Sequence, residues 1–284
     1  MFRLVLIFCG IAVIGCANRS NTRVISAPNK QLTNLAQITK GAAAAAKAME
    51  FKNPSLRPRS LTPSSVVKIL PPQHRIALSY HHTSLNGVIL SMVSFDDREH
   101  QLRVADQQNG LGTRWLDAKS AAATYRGLAA INGGFFTPEG KPLGLVIETG
   151  TKRGYINKSS LGAGIYISTK SGSTIIRRKK YASSSLAANA HNLLQTGPML
   201  AESGKAISGL SKRSSRVRSF IAWDGRNHWA IGHAEPCTLD ALSKALAGAS
   251  PAGFKISTAA NLDGGRSSDL WVGSRVKNGG KTHR

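Results

Sequence analysis

The chain has 284 residues, 41% of them hydrophobic and 18% charged, which is long enough to bury a substantial core and too apolar for a disordered or fibrous polypeptide. Its 38 Lys and Arg against 14 Asp and Glu give a formal charge of +24, suited to anionic membrane faces, phosphate-rich polymers or acidic substrates. Residues 17–80 carry ten Lys or Arg and one Glu, 10 − 1 = +9, so much of the excess sits in one N-terminal stretch.

Met1-Phe2-Arg3 is a charged start, residues 4–14 are an apolar run, and Val13-Ile14-Gly15-Cys16 ends it. The run is too short for a permanent membrane span and reads as a cleaved signal peptide at 1–15. Its last four residues resemble the lipobox of bacterial lipoproteins, which makes Cys16 the expected lipidation site and anchors the chain to a membrane. Ala17 after the cysteine points to the outer membrane, with the domain facing the periplasm or the exterior. A plain secretory signal with an incidental cysteine is the alternative. With Cys9 in the leader and Cys16 acylated, only Cys237 remains. It is expected as a small buried residue outside any intramolecular disulfide.

Residues 16–74 read as a lipid-anchored basic linker. Five consecutive alanines favour a short helix at 41–49, and three prolines with several serines mark 53–65 as spacer. A domain is expected over 75–276, followed by a basic tail at 277–284. Short apolar runs at 76–80, 87–95 and 101–104, broken by His81-His82-Thr83-Ser84 and Asp96-Asp97-Arg98-Glu99, predict a meander of strands. Asp117 is a plausible cap for a helix over 118–126, with Gly127 as a left-handed stop. A buried strand at 128–131 then runs into Asn132-Gly133-Gly134. Strands are predicted at 144–148, 162–168, 173–177, 220–223 and 229–232. Thr238 caps a helix over 239–246 with Gly248 as its stop, and strands at 259–262 and 270–272 follow. The class is α+β: a single domain with a mixed, mostly antiparallel sheet and a few packed helices, preceded by the signal peptide and a flexible basic arm.

Two places repeat one pattern, a short apolar strand, a polar residue and Gly-Gly: Asn132-Gly133-Gly134 and Asp263-Gly264-Gly265. Glycines at such a turn allow positive φ and let backbone N–H groups approach a ligand. Asp263 accepts hydrogen bonds when ionised, Ser267 and Ser268 donate, and Phe135 and Phe136 are placed to wall a pocket.

Taken in order, Ala129-Ala-Ile-Asn132-Gly-Gly-Phe-Phe136, Pro142-Leu-Gly144-Leu-Val-Ile-Glu148, Gln195-Thr196-Gly197-Pro198-Met-Leu200, Arg218 ahead of the strand to Asp224, and Asn261-Leu-Asp263-Gly-Gly265 with Ser268 resemble the motifs of the phosphodiester glycosidase family, the family of the lysosomal uncovering enzyme. The resemblance covers roughly residues 75–275. It departs at Arg266, where a third glycine is usual, and at Thr196, where serine is common.

The resemblance implies scission of a glycosyl-phosphate bond, possibly to N-acetylglucosamine, with release of a phosphomonoester and a free sugar. Asp263 is the first candidate for the reacting carboxylate, Glu148 and Asp224 are candidates for its partner, and His233 is a candidate acid or base. Substrate contacts are expected from Asn132, Gly133, Gly134, Phe135, Phe136, Thr196, Gly197, Pro198, Arg218, Asn261, Gly264, Gly265, Arg266, Ser267 and Ser268. No zinc is expected, because His81-His82 and His228 lack companions at ligand spacing, and a loosely held calcium stays open. The expected partners are a sugar-phosphate diester or an anionic envelope glycan, with neither nucleic acid nor a specific protein partner. A non-catalytic envelope lipoprotein that binds anionic glycan is the alternative.

Overall fold

A computed structural model of the protein describes residues 5–8, 12–16, 75–110, 112–181 and 184–284. The basic arm at 17–74, with the helix and spacer expected there, lies outside the described residues. In chain order the strands are β1 (Val5–Phe8), β2 (Ala12–Cys16), β3 (Ser79–Leu85), β4 (Val88–Asp96) and β5 (His100–Asp106), then helix α1 (Ala118–Tyr125). Next come β6 (Ala129–Ile131), β7 (Val146–Glu148), β8 (Thr151–Arg153), β9 (Gly164–Thr169) and β10 (Gly172–Arg177), then the single turn α2 (Arg178–Tyr181). There follow β11 (Asn192–Thr196), β12 (Met199–Glu202), β13 (Lys205–Ala206), β14 (Arg216–Trp223) and β15 (His228–Cys237), then α3 (Leu239–Leu246), β16 (Thr258–Asn261), β17 (Leu270–Val272) and β18 (Lys281–His283).

Three sheets result, ordered β1-β5-β2-β6-β17-β18, β10-β9-β11-β7-β8 and β13-β12-β16-β14-β15-β4-β3. Pairing is mostly antiparallel and helices are few, so the class is α+β. The two strands of the expected leader flank β5, β1 running parallel to it and β2 antiparallel.

The largest sheet is apolar on both faces. Val93, Ile221 and Ile231 alternate with Met92, Phe220 and Ala230 along neighbouring strands, and all are buried. The first set joins Phe95, Ile131, Tyr166, Leu194, Trp229 and Leu270 in a core fed by all three sheets. The second packs under α3 through Leu242 and Leu246. Burying each such side chain contributes about 1.5–3 kcal/mol. Gly232 is forced by this packing, since a Cβ there would meet Phe220 Cζ at 2.3 Å and Met92 Cγ at 2.8 Å.

Local chemistry explains several departures from the sequence reading. His81-His82-Thr83-Ser84 lies within β3. The hairpin turns instead at Asn86 and Gly87, whose φ of 49° and 77° fit the two-residue loop that Asn-Gly favours. Helix α1 has the expected Asp117 cap, but it stops at Arg126 in the left-handed conformation (φ 52°), while Gly127 returns its N–H to the Ala122 carbonyl at 2.7 Å. The strands at Asn192–Thr196 and Met199–Glu202 were not anticipated. Residues 277–284 form part of the fold rather than a tail, because β18 pairs with β17. Cys237 is buried and free, and burial pushes its thiol up to about 11.

Candidate active site

Strands β6 and β16 deliver the two glycine turns to one place, and the turns are bonded to each other. The Asp263 N–H donates to the Gly133 carbonyl at 3.0 Å, and Asn132 Nδ2 donates to the Asp263 carbonyl at 2.7 Å. Asn132 Oδ1 accepts from the Ser219 hydroxyl at 2.5 Å and from the Asp269 N–H at 3.2 Å. With both ends of its amide engaged and only 1% of it exposed, Asn132 holds the turns together. Of the four turn glycines, Gly265 takes positive φ (64°), whereas Gly133 and Gly134 do not. Gly264 answers to space instead, since a Cβ there would lie 2.9 Å from the Val217 carbonyl.

Above the turns lies a cavity of about 450 Å³. One wall is Asn132, Gly133, Gly134 and Phe136 with Asp263, Arg266, Ser267, Ser268 and Asp269. The facing wall is Gln107, Gly112, Trp115, Leu116, Asp117 and Arg284. Burial raises the Asp263 carboxyl above its usual range, against the pull of the Ser267 hydroxyl and of the Gly264 N–H at 2.9 Å. Such a group is a stronger base than an ordinary aspartate. The Ser268 hydroxyl is buried and has no hydrogen-bond partner. Arg266, carried on the 3-10 turn Gly265–Ser267, is exposed at the cavity.

Three residues that the sequence reading did not place here complete the wall. Arg284 bridges Asp117 at 2.7 Å and Asp269 at 3.3 Å. Asp269 also accepts the Ala118 N–H at 2.7 Å, which ties the glycine turn to the start of α1. Burial acts to raise the Asp117 carboxyl, but hydrogen bonds from Ser120 and Arg284 hold it below its usual range. Asp269, six residues after Asp263, was the legible clue that another carboxylate stood close by.

Other candidates sit elsewhere. Glu148 is outside the cavity lining, held by Arg114 at 3.0 Å and the Tyr125 hydroxyl at 2.8 Å. Asp224 caps the β14–β15 hairpin, accepting the Arg226 and His228 N–H groups at 2.6 and 3.1 Å. His233 is buried on the core-facing side of β15, and burial followed by the nearby His283 pushes its imidazole down to about 4.

Thr196, Gly197 and Pro198 brace β16 from behind. The Thr196 hydroxyl donates to the Asn261 carbonyl at 2.7 Å, and Asn261 Nδ2 donates to the Gly197 carbonyl at 3.2 Å. Arg218 is buried against the Cys237 and Ser214 carbonyls at 3.2 and 2.8 Å. Phe135 does not line the cavity, whereas Phe136 does. Trp271, a possible entrance residue by sequence, packs instead against the cluster under α1.

The profile of the phosphodiester glycosidase family matches residues 125–284. Among solved structures, the chain is similar to the catalytic domain of zebrafish N-acetylglucosamine-1-phosphodiester alpha-N-acetylglucosaminidase, auto-inhibited by its pro-peptide. Identity is 19%, the TM-score is 0.44, and the match covers 69% of this chain and 77% of that one. It is also similar to a hypothetical protein from Synechocystis at 15% identity and a TM-score of 0.42, covering 68% of this chain and 57% of that one. No curated protein matches the chain.

Proposed function

From a chain that belongs to the phosphodiester glycosidase family, we propose a hydrolase that cleaves the bond between a sugar anomeric carbon and a phosphodiester oxygen, at the cavity beside Asp263. One observation carries the reading. A single turn sets a carboxyl made more basic by burial beside a buried, partnerless Ser268 hydroxyl and an exposed Arg266.

In the proposed reaction, a water oxygen bonds to the anomeric carbon as the carbon–oxygen bond to phosphorus breaks. The departing phosphomonoester keeps the electron pair, and Asp263 takes the proton released by the water. Arg266 and the Ser268 hydroxyl meet the charge that develops on the phosphate, where donors fixed in advance are most effective. Phosphate is a good leaving group, so protonation of the departing oxygen matters less than in alkyl glycosides. Asp117 and Asp269 share the cavity and fit the second carboxylate role better than Glu148 or Asp224, which lie outside the lining. An N-acetylglucosamine-type sugar is the first substrate to try.

The place of action we propose is the bacterial envelope, on the outer membrane, with lipid on Cys16. The charged start, the apolar run and the lipobox-like residues support it. Cys16→Ser should move the protein from the membrane fraction to the soluble fraction, and a variant that stays membrane-bound would refute the anchor.

The test of the reaction is incubation of the purified chain with an N-acetylglucosamine-1-phospho-methyl diester, followed by assay of free sugar. Release by the wild type and none by Asp263→Asn is the expected result. Saturable binding of diesters without release would instead assign the protein to glycan binding.

A further inference from the structure

We propose that His233, Glu235 and His283 form a binding site for a divalent transition metal of the zinc class. One ligand atom from each residue lies within 4.8 Å of the other two. His233 and Glu235 stand two apart on β15 and so share a side of the strand, while His283 arrives from β18 in a different sheet.

His233 is the observation that asks for a ligand. It is 2% exposed, and neither ring nitrogen has a hydrogen-bond partner. Two unsatisfied polar atoms on one buried side chain are costly unless something binds them. Its ring faces His283 across 5.4 Å between centroids. The His283 ring is oriented in turn by Tyr80, whose hydroxyl lies 2.9 Å from Nε2 and whose ring stacks on it at 5.7 Å. A hydrogen-bonded partner of this kind fixes ring orientation in metal-binding histidines.

Donor chemistry narrows the occupant. Two imidazoles and one carboxylate suit zinc, with a fourth position left for water, whereas calcium and magnesium favour oxygen ligands throughout. Zinc bonds of about 2.0–2.1 Å bring tetrahedral ligand atoms to roughly 3.3 Å from one another. The exposed Glu235 and the half-buried His283 have the side-chain freedom to close that gap. Once closed, the metal would pin β18 to β15. Because Arg284 follows His283 and reaches into the cavity, occupancy would also fix that guanidinium.

The test loads the full purified chain with zinc, removes excess by desalting and measures metal content. Cobalt substitution reports on the ligand set through its visible absorption. The wild type should retain about one zinc per chain, as expected for a site with three protein ligands. Glu235→Gln and His283→Gln should lose affinity by roughly 10 to 100-fold or more, since loss of even an outer partner of a ligand produces that range. Zinc should raise the thermal midpoint of the wild type and not that of His283→Gln. Glu235 is exposed, so its variant tests the ligand set without disturbing the core. Failure of the wild type to hold stoichiometric zinc, or equal retention by both variants, overturns the site. These readouts do not depend on glycosidase turnover.

Discussion

The side-chain amide of Asn132 donates to the backbone carbonyl of Asp263 at 2.7 Å, and the same side chain accepts from Ser219 and Asp269. A residue placed by sequence among the substrate contacts is thus the tie between the two turns. Asn132→Leu should leave three protein groups unpaired at about 1–3 kcal/mol for each that stays buried. It should also lower kcat on the order of 100-fold, because a misplacement of about 1 Å is enough to do so. Denaturant midpoints and steady-state rates check this. Lost stability with an unchanged kcat would show that the tie does not position Asp263.

Asp263→Asn should abolish sugar release and also stabilise the fold at neutral pH. The carboxyl is raised above its unfolded value by burial. Below the ordinary aspartate range both states are protonated and the burial carries no charge. As pH rises through the folded-state pKa, the native chain must hold a desolvated anion and loses stability relative to the unfolded chain. Asparagine removes that loss. Unfolding curves of the two proteins should coincide at low pH and separate in favour of the variant above it. The wild-type rate should rise with pH through an inflection above the usual aspartate value.

Arg266→Gln should raise KM for an anionic diester and lower kcat/KM roughly 10 to 100-fold, the loss of a charge-assisted contact of about 1.5–3 kcal/mol. Arg266→Lys should recover part of this, since a point charge replaces the planar fork. Added salt should weaken wild-type binding more than binding by Arg266→Gln. Identical salt profiles for the two would show that Arg266 does not meet the phosphate.

Gly232→Ala is expected to destabilise the domain by about 1–3 kcal/mol, because overfilled cores push side chains off their rotamers. The new methyl would be driven into Phe220 and Met92. A thermal midpoint equal to that of the wild type would disprove this packing.

The parts of the site that sequence revealed are those written locally. Both helices announce their caps, and Asp117 and Thr238 accept the Ser120 and Ala241 N–H groups as capping chemistry requires. Both glycine turns follow short apolar strands. What sequence hid depends on distant pairing. Arg284 enters the cavity through ion pairs with residues 15 and 167 positions away. Glu148 stands in a family motif, yet its side chain turns toward Arg114 and Tyr125. His233 looked solitary because its companion on β18 lies fifty residues further on. Polar residues on the exposed face of β3 resembled a loop and obscured the Asn-Gly turn just beyond them.

The walls of the cavity are joined by contacts spanning 131 residues between Asn132 and Asp263 and 167 between Asp117 and Arg284. Contacts of such long range form only after most of the chain has paid their loop-closure entropy. A polypeptide crossing a membrane in extended form would therefore carry Asp263 as an ordinary solvated aspartate. Under the proposed export route, the chemistry begins only on the side of the membrane where folding is completed, so sugar phosphates on the side of synthesis are never exposed to it.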